Sequence, residues 1–231
     1  SKRSMSSFHG MWSLGAFLTT ILGGSIANFV SPEANLISVA VTAAVFYLVV
    51  INHLLPSELD NHDGGAEETK AKIPLFGSKV RPLWFLGFGL LGSLIAEGAA
   101  SDWGALLLRD EMGVGKGINA SAYASFALAM IITRFLGDRA MNYFGPRKLV
   151  LIAGLIGGIG WALSIALALP LSDSHPLLAL VIINLGFALA GFGIAPMFPA
   201  FILAASAIPG IAPSVSSARA FVIGLSGFFI G

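Results

Sequence analysis

The sequence predicts an all-α membrane protein with about seven transmembrane helices, and three observations lead to that fold class. Charged residues make up only 11% of the 231 residues and apolar residues 56%, whereas soluble domains carry roughly 25% charged residues. Seven stretches are about long and apolar enough to cross the roughly 30 Å hydrocarbon core as helices. Short polar segments separate most of them. A soluble globular domain is disfavoured because long parts of the chain supply no charged surface.

The predicted spans follow one another in the chain. They cover residues 8–30, 36–55, 83–108, 118–136, 149–169, 177–205 and 214–231. The connections at residues 31–35, 110–117 and 138–147 are short and polar, which predicts loops between antiparallel neighbouring helices. Pro196 and Pro199 lie inside the sixth span and predict a bend, which either lines a cavity or is simply tolerated in a bundle.

Residues 56–82 form the one long interruption, and their composition cannot supply a packed core. Two glycines, Gly64 and Gly65, lie among the acidic residues. Acidic residues come first and basic residues follow: Glu58, Asp60, Asp63, Glu67, Glu68, Lys70, Lys72, Lys79 and Arg81. This composition predicts a solvated linker that separates the first two predicted helices from the last five. Because the chain starts at Ser1 without a signal-peptide pattern and stops at Gly231 inside an apolar run, we expect a fragment of a longer protein.

The distribution of Lys and Arg predicts the orientation of the helices. If residue 83 lies on the cytoplasmic side, eleven of the 13 basic residues lie at or near that side, and only Arg109 and Lys116 lie outside. Cytoplasmic loops of membrane proteins are enriched in these residue types. The linker is therefore predicted to be cytoplasmic.

Glu97 is the strongest candidate for a functional side chain at membrane depth. It follows Leu83 by 14 residues, which is about 21 Å along a helix, and an ionisable group in hydrocarbon is costly unless it faces protein or water. Ser93 and Ser101 share its helix face. We interpret the three as part of a substrate or proton pathway, with a structural hydrogen bond of Glu97 to a neighbouring helix as the alternative. Asn184 is a further candidate, either in the pathway or as a bond between helices.

Asp102 and Arg109 are predicted to meet near the outer interface. Asp102 points some 140° away from Glu97 on a helix, so the two carboxylates do not form a dyad. Asp102 shares a face with Arg109 two turns later. This spacing favours an ion pair or a gate contact.

No residue pattern indicates catalysis. The chain has no cysteine, and its four histidines are scattered without a metal-ligand spacing. No Ser/His or Asp/Asp pair stands in helical register. We therefore predict no enzyme, no catalytic residue, no metal and no cofactor.

Residues 134–148, RFLGDRAMNYFGPRK, resemble the cytoplasmic signature of the major facilitator superfamily. The matching residues are Asp138, Arg139, Gly145, Arg147 and Lys148. Thr133 and Asn142 depart from the signature, where a glycine and an acidic residue are usual. The resemblance implies that Asp138 contacts the cytoplasmic start of the first span, at residues 4–8, and that a conformational gate locks one state. The residues assigned to the gate are Asp138, Arg139, Arg147, Lys148, Asp102 and Arg109.

Three further runs resemble bacterial members of this superfamily related to fucose permease. Residues 8–24, 97–113 and 191–201 look like their fifth, seventh and tenth helices. The resemblance implies a superfamily-type helical bundle of twelve helices in two halves, located in the inner (plasma) membrane, with substrate near the midplane. On this mapping residues 1–55 are the last two helices of the N-terminal half and residues 56–82 the central linker. Residues 83–231 are the C-terminal half, cut short in its fifth helix.

The leading hypothesis is a secondary active transporter, a symporter or an antiporter, that moves a sugar-like or drug-like solute by alternating access with proton coupling. Its expected partners are the solute, protons and the lipid bilayer, without nucleic acid, and we expect a monomer when the chain is complete. The alternative is a non-transporting membrane receptor or scaffold. Residues 138–148 and the charged linker favour the transporter, because a scaffold leaves both unexplained.

Overall fold

The computed structural model describes residues 2–26, 28–51 and 74–229, and within these ranges it contains helices and turns but no strand. The side chains of residues 2–10, 12, 13, 138, 142 and 228 are outside that description. Most of the predicted linker, the end of the second predicted span and the last two residues also fall outside it. The cytoplasmic linker therefore stays a prediction.

The described residues contain eight α-helices. They are α1 (Lys2–Ile26), α2 (Pro32–Val50), α3 (Arg81–Leu106), α4 (Ser121–Phe144), α5 (Pro146–Leu171), α6 (Pro176–Ile194), α7 (Met197–Ser206) and α8 (Pro213–Leu225). Length and composition allow five segments to cross a membrane: Pro32–Val50, Arg81–Glu111, Ile118–Gly137, Pro146–Leu171 and Pro176–Ser206. α1 adds a short apolar stretch, Leu14–Ile26, and α8 has 13 residues. The all-α membrane fold is confirmed, with five candidate spans among the described residues where the sequence predicts about seven.

The connection between α4 and α5 is much shorter than the loop predicted at residues 138–147. α4 continues to Phe144, and the chain turns at Gly145, whose φ of +76° is rarely adopted by residues with a side chain. Pro146 then starts α5, where its missing N–H costs no helical hydrogen bond. The predicted loop is wrong, because charged residues outside the hydrocarbon can continue a helix and one glycine is enough to reverse the chain.

The bend predicted in the sixth span is a break between two helices. α6 ends at Ile194 and α7 begins at Met197, with Pro196 at the junction. Proline has no N–H to donate and its ring clashes with the preceding turn. The predicted bend is therefore confirmed.

α5 presents small residues to the bundle and large apolar residues outward. The buried residues are Ala153, Gly157, Ser164 and Ala168. The exposed ones include Leu151, Leu155, Ile159, Leu163 and Leu167. An outer surface of this kind suits lipid, and small residues inside let helices approach closely.

α5 and α6 approach most closely at Gly157 and Gly193. A Cβ atom on Gly157 would lie 2.8 Å from the Gly193 Cα and 2.9 Å from the Leu189 carbonyl oxygen. On Gly158, one residue further, a Cβ would meet nothing within 4 Å. The helix contact therefore depends on Gly157 rather than on its neighbour.

α6 is the central helix of the bundle. It packs against α5 and α4, while α1 packs along α4, and α8 packs along α3. Phe126 of α4 and Phe187 of α6 are fully buried in the main core. α2 buries none of its residues. The packing order brings α3 and α4, which carry the candidate site, into contact.

Residues 74–76 are attached to the start of α3 and to α8. The Trp84 indole Nε1 donates to the Leu75 carbonyl at 2.8 Å, and the Trp84 ring stacks on Phe76 at a centroid distance of 5.5 Å. A guanidinium nitrogen of Arg219 donates to the Pro74 carbonyl at 3.0 Å. These contacts connect the end of the predicted linker to two helices.

Replacing Trp84 by Phe should loosen this attachment. Phe keeps the ring but removes the Nε1 donor, and a hydrogen bond contributes about 0.5–1.5 kcal/mol. Lys79 is exposed while Val80 is only 1% exposed, so trypsin must wait for local opening before it can cut between them. We expect Trp84→Phe in the complete protein to be cut there about two- to tenfold faster. Trp103→Phe, a 60% exposed position at the other end of α3, is the matched control, and equal rates in the two variants would contradict the prediction.

Candidate functional site

Glu97 and Arg134 place opposite charges on two neighbouring helices inside an apolar bundle. Glu97 lies on α3, 16 residues after Arg81, which is about 24 Å along the helix. Arg134 lies on α4 within the apolar segment Ile118–Gly137. Both residues are partly buried, and their charges interact. Because a lone charge in hydrocarbon is costly, each of the two stabilises the other at this depth.

Tyr123 and Asp102 extend this charged pair. Tyr123 precedes Arg134 by 11 residues on α4, so the two share a helix face to within about 20°. The Tyr123 phenol interacts electrostatically with Glu97, Arg134 and Asp102. We refer to Glu97, Asp102, Tyr123 and Arg134 as the α3–α4 polar cluster. Within the described ranges, no three His, Asp or Glu side chains come together as a metal site.

Ser93 and Ser101, predicted to accompany Glu97, have different neighbours. Ser101 Oγ has two acceptors at 2.9 Å, the Gly98 carbonyl and Asp102 Oδ1. It therefore adjoins the polar cluster through Asp102. Ser93 is buried and lines a cavity that α5, α6 and α7 also border. A role of either serine in the pathway stays a prediction.

Asn184 joins two helices. Its Oδ1 accepts a hydrogen bond from Ser125 Oγ of α4 at 2.9 Å, and its Nδ2 donates to the Leu180 carbonyl of its own helix at 2.8 Å. Both ends of the amide therefore have a partner. This geometry matches the bond between helices that the sequence allows for Asn184, and substrate contact stays a prediction.

A cavity of about 520 Å³ lies between α1 and α4 and is lined partly by polar residues. Thr20, Asn28, Lys116 and Ser121 contribute to it, as does Ser125, the partner of Asn184. Its volume falls in the range of small-molecule sites. The cavity is thus connected to Asn184 by one hydrogen bond.

Arg109 pairs with Asp110 and not with Asp102. Arg109 Nε lies 2.6 Å from Asp110 Oδ1, and Nη2 lies 2.9 Å from Oδ2. Residues Leu107–Glu111 form a π-helical turn, and the wider turn rotates Arg109 off the face it would share with Asp102 in a regular helix. The predicted Asp102–Arg109 ion pair is wrong for this reason. The Arg109–Asp110 side chains are each 53% exposed.

Four of the six residues predicted as a gate lie on both sides of the α4–α5 junction: Asp138, Arg139, Arg147 and Lys148. Arg139 is exposed near the end of α4, and Arg147 and Lys148 are exposed in the first turn of α5. The side chains of Asp138 and of residues 4–8 lie outside those that the structure describes, so their implied contact stays a prediction. α1 and α4, the two helices that this contact would join, do pack together.

Arg134 and Tyr123 are the members of the cluster that the sequence does not single out. The count of basic residues assigns Arg134 to the cytoplasmic side, because it is the first residue of the charged run at residues 134–148. It also lies inside the predicted span at residues 118–136. An arginine inside the span that follows the one carrying Glu97 is the pattern that would have identified it.

Comparisons with a family profile and with curated proteins point to the same family. The profile described as Major Facilitator Superfamily matches residues 1–231. An uncharacterized MFS-type transporter of Yersinia pestis is 30% identical over 98% of this chain and 54% of its own length. Membrane protein MosC of Rhizobium meliloti is 29% identical over 99% of this chain and 52% of its own length.

An uncharacterized transporter of Sinorhizobium fredii is 32% identical over 84% of this chain and 48% of its own length. The chain therefore spans about half the length of the curated relatives it matches. No solved structure matches it significantly.

Proposed function

The chain belongs to the Major Facilitator Superfamily, and from this premise we propose that the complete protein is a proton-coupled secondary transporter of a small solute, working by alternating access. The observation that carries the proposal is the Glu97–Arg134 pair, opposite charges on two packed helices at membrane depth. Intramembrane ionisable residues of this kind mark ion and proton pathways.

The pair provides an element with two states. Arginine stays charged, so the attraction between α3 and α4 depends on the proton carried by Glu97. When Glu97 is ionised, the pair holds the two helices together. When Glu97 takes up a proton, the attraction is lost and α3 is released from α4. A proton gradient can then bias a conformational equilibrium, which is what coupled transport requires.

The solute is proposed to bind next to this element. In the proposal α1 and α2 belong to the N-terminal half, residues 56–82 are a cytoplasmic linker in the inner membrane, and α3–α8 belong to the C-terminal half. The cavity between α1 and α4 then lies between the halves. Its hydroxyl, amide and ammonium groups beside apolar walls suit a sugar-like solute, or a drug-like one as the variant.

A proteoliposome assay tests the proposal. The complete protein is reconstituted with a pH-sensitive dye inside, and monosaccharides and ethidium are added with and without a pH gradient. We expect one class of solute to accumulate only with the gradient, with matching proton movement, and a protonophore to abolish both. Folded protein that moves neither solutes nor protons would overturn the proposal and favour the receptor or scaffold alternative.

A further inference from the structure

The end of α1 meets the turn before α4 through two glycines. A Cβ atom on Gly117 would lie 2.6 Å from the Gly24 carbonyl oxygen, and one on Gly24 would lie 3.1 Å from the Gly117 carbonyl oxygen. At Gly23, one residue earlier, a Cβ would meet nothing within 4 Å. The close approach is therefore specific to Gly24 and depends on the absence of a side chain from both partners.

The turn that carries Gly117 is attached to α3. The Gly117 N–H donates to Asn119 Oδ1 at 3.1 Å, and Asn119 Nδ2 donates to the Ala105 carbonyl of α3 at 3.4 Å. Gly117 has a φ of +85°, a conformation that favours glycine. The turn is thus a supported surface against which the end of α1 rests.

α1 is attached to the rest of the described chain less firmly than the turn is. No described side chain of α1 is buried against it, whereas α6 has eight buried residues. Leu22, two residues before Gly24, is 63% exposed. A contact that buries little apolar surface costs little free energy to break. The end of α1 can therefore separate from the turn more easily than α6 can leave the bundle.

The glycine contact borders the cavity between α1 and α4. Both glycines line this cavity, at the end where α1 stops and α4 begins. Lys116 lies beside them and belongs to the predicted outer side of the membrane. Ala124 lines the cavity one turn further along α4 than Ala120 and is only 8% exposed. The contact therefore lies between the predicted outer surface and the interior of the cavity.

We propose that the Gly24–Gly117 contact is the outer gate of this cavity, closed in the present structure and opened when α1 moves away from the turn. The inference rests on the proposed alternating access and names the contact that controls entry from outside. Two glycines suit a gate because their backbones touch without interlocking side chains. A side chain at position 24 would overpack the closed contact and shift the population toward the state that is open to the outside.

The rate at which a cysteine inside the cavity is labelled measures the state of the gate. Ala124→Cys is introduced into a cysteine-free version of the complete protein, and a membrane-impermeant maleimide is added to right-side-out or to inside-out vesicles. We expect Gly24→Leu to raise the labelling rate from the outside about tenfold and to lower it from the inside about tenfold. Gly24→Ala should produce smaller changes in the same two directions, because its methyl group is smaller.

Gly23→Leu is the matched control. It makes the same chemical change one residue earlier in α1, where a Cβ meets no atom within 4 Å. Its labelling rates should equal those of the protein that carries Ala124→Cys alone. Measurement from both sides separates a gate from general loosening, because a loosened protein would be labelled faster from both sides.

The results that would overturn this inference differ from those that would overturn the proposed function. The inference fails if the protein transports solute but Gly24→Leu leaves both labelling rates unchanged or raises both. If the unmodified protein moves no solute and the introduced cysteine is labelled from one side only, the proposed function fails and the gate is excluded with it. If Gly24→Leu does not fold, Gly24→Ala decides, since it must still shift the two rates in opposite directions.

Discussion

Glu97→Gln and Arg134→Gln are each expected to destabilise the complete protein by about 3 kcal/mol, and the double variant by much less than the sum. Each single change removes the opposite charge that helps to stabilise the remaining one, and a charge inside the membrane costs up to about 2.5–3.5 kcal/mol. Removing both charges leaves two neutral amides, and burying a neutral amide costs less than burying a charge. Unfolding followed in detergent should therefore show a coupling free energy of about 2 kcal/mol or more.

The chain offers a matched control for this cycle. Arg109 and Asp110 form an ion pair with both side chains about half exposed. Exposed pairs contribute about 0–1 kcal/mol, because water already stabilises both charges. Arg109→Gln and Asp110→Asn should therefore combine almost additively. A coupling for Glu97 and Arg134 no larger than this control value would show that the two charges do not stabilise each other.

The same double variant distinguishes the role of the two charges in stability from their role in proton-coupled transport. It should fold, yet lose proton-driven accumulation, because the protonatable carboxyl group of Glu97 is gone from α3. Solute exchange without a gradient should persist. If the double variant still accumulates solute in response to a pH gradient, Glu97 is not the coupling group, although the stability result would stand.

Transmembrane segments are predictable from the sequence because bilayer thickness fixes their length. The predicted span at residues 149–169 lies inside α5, and the bend at Pro196 is where α6 ends. Helix ends beyond the hydrocarbon are less predictable. α4 extends to Phe144 because charged side chains in water do not stop a helix, and only Gly145 does so.

The candidate site was predictable only in part. Depth alone singles out Glu97, but its partner depends on which helices pack together, and a single sequence does not give that packing. The sequence places Arg134 inside the next predicted span, but its relation to Glu97 is visible only once α4 is known to pack against α3. Arg109 illustrates a different difficulty, because one π-helical turn changes the face of a residue without any change in composition.

Gly157→Ala and Gly158→Ala, at adjacent positions of α5, are expected to change stability in opposite directions. At Gly157 the new methyl group would lie 2.8 Å from the Gly193 Cα and 2.9 Å from the Leu189 carbonyl. Those are backbone atoms, so α5 and α6 must separate, and overpacking of this kind costs about 1–3 kcal/mol. At Gly158 nothing lies within 4 Å, and alanine gains about 0.5–1 kcal/mol in a helix interior.

The comparison isolates packing because both variants make the same chemical change in the same helix. Intrinsic helix propensity favours alanine equally at both positions, so it cancels in the difference of the two unfolding free energies. What remains is the cost of separating α5 from α6, the helix at the centre of the bundle. Melting in detergent should place Gly157→Ala below the unmodified protein and Gly158→Ala at or above it. Equal midpoints for the two variants would mean that the close approach at Gly157 and Gly193 does not hold these helices together.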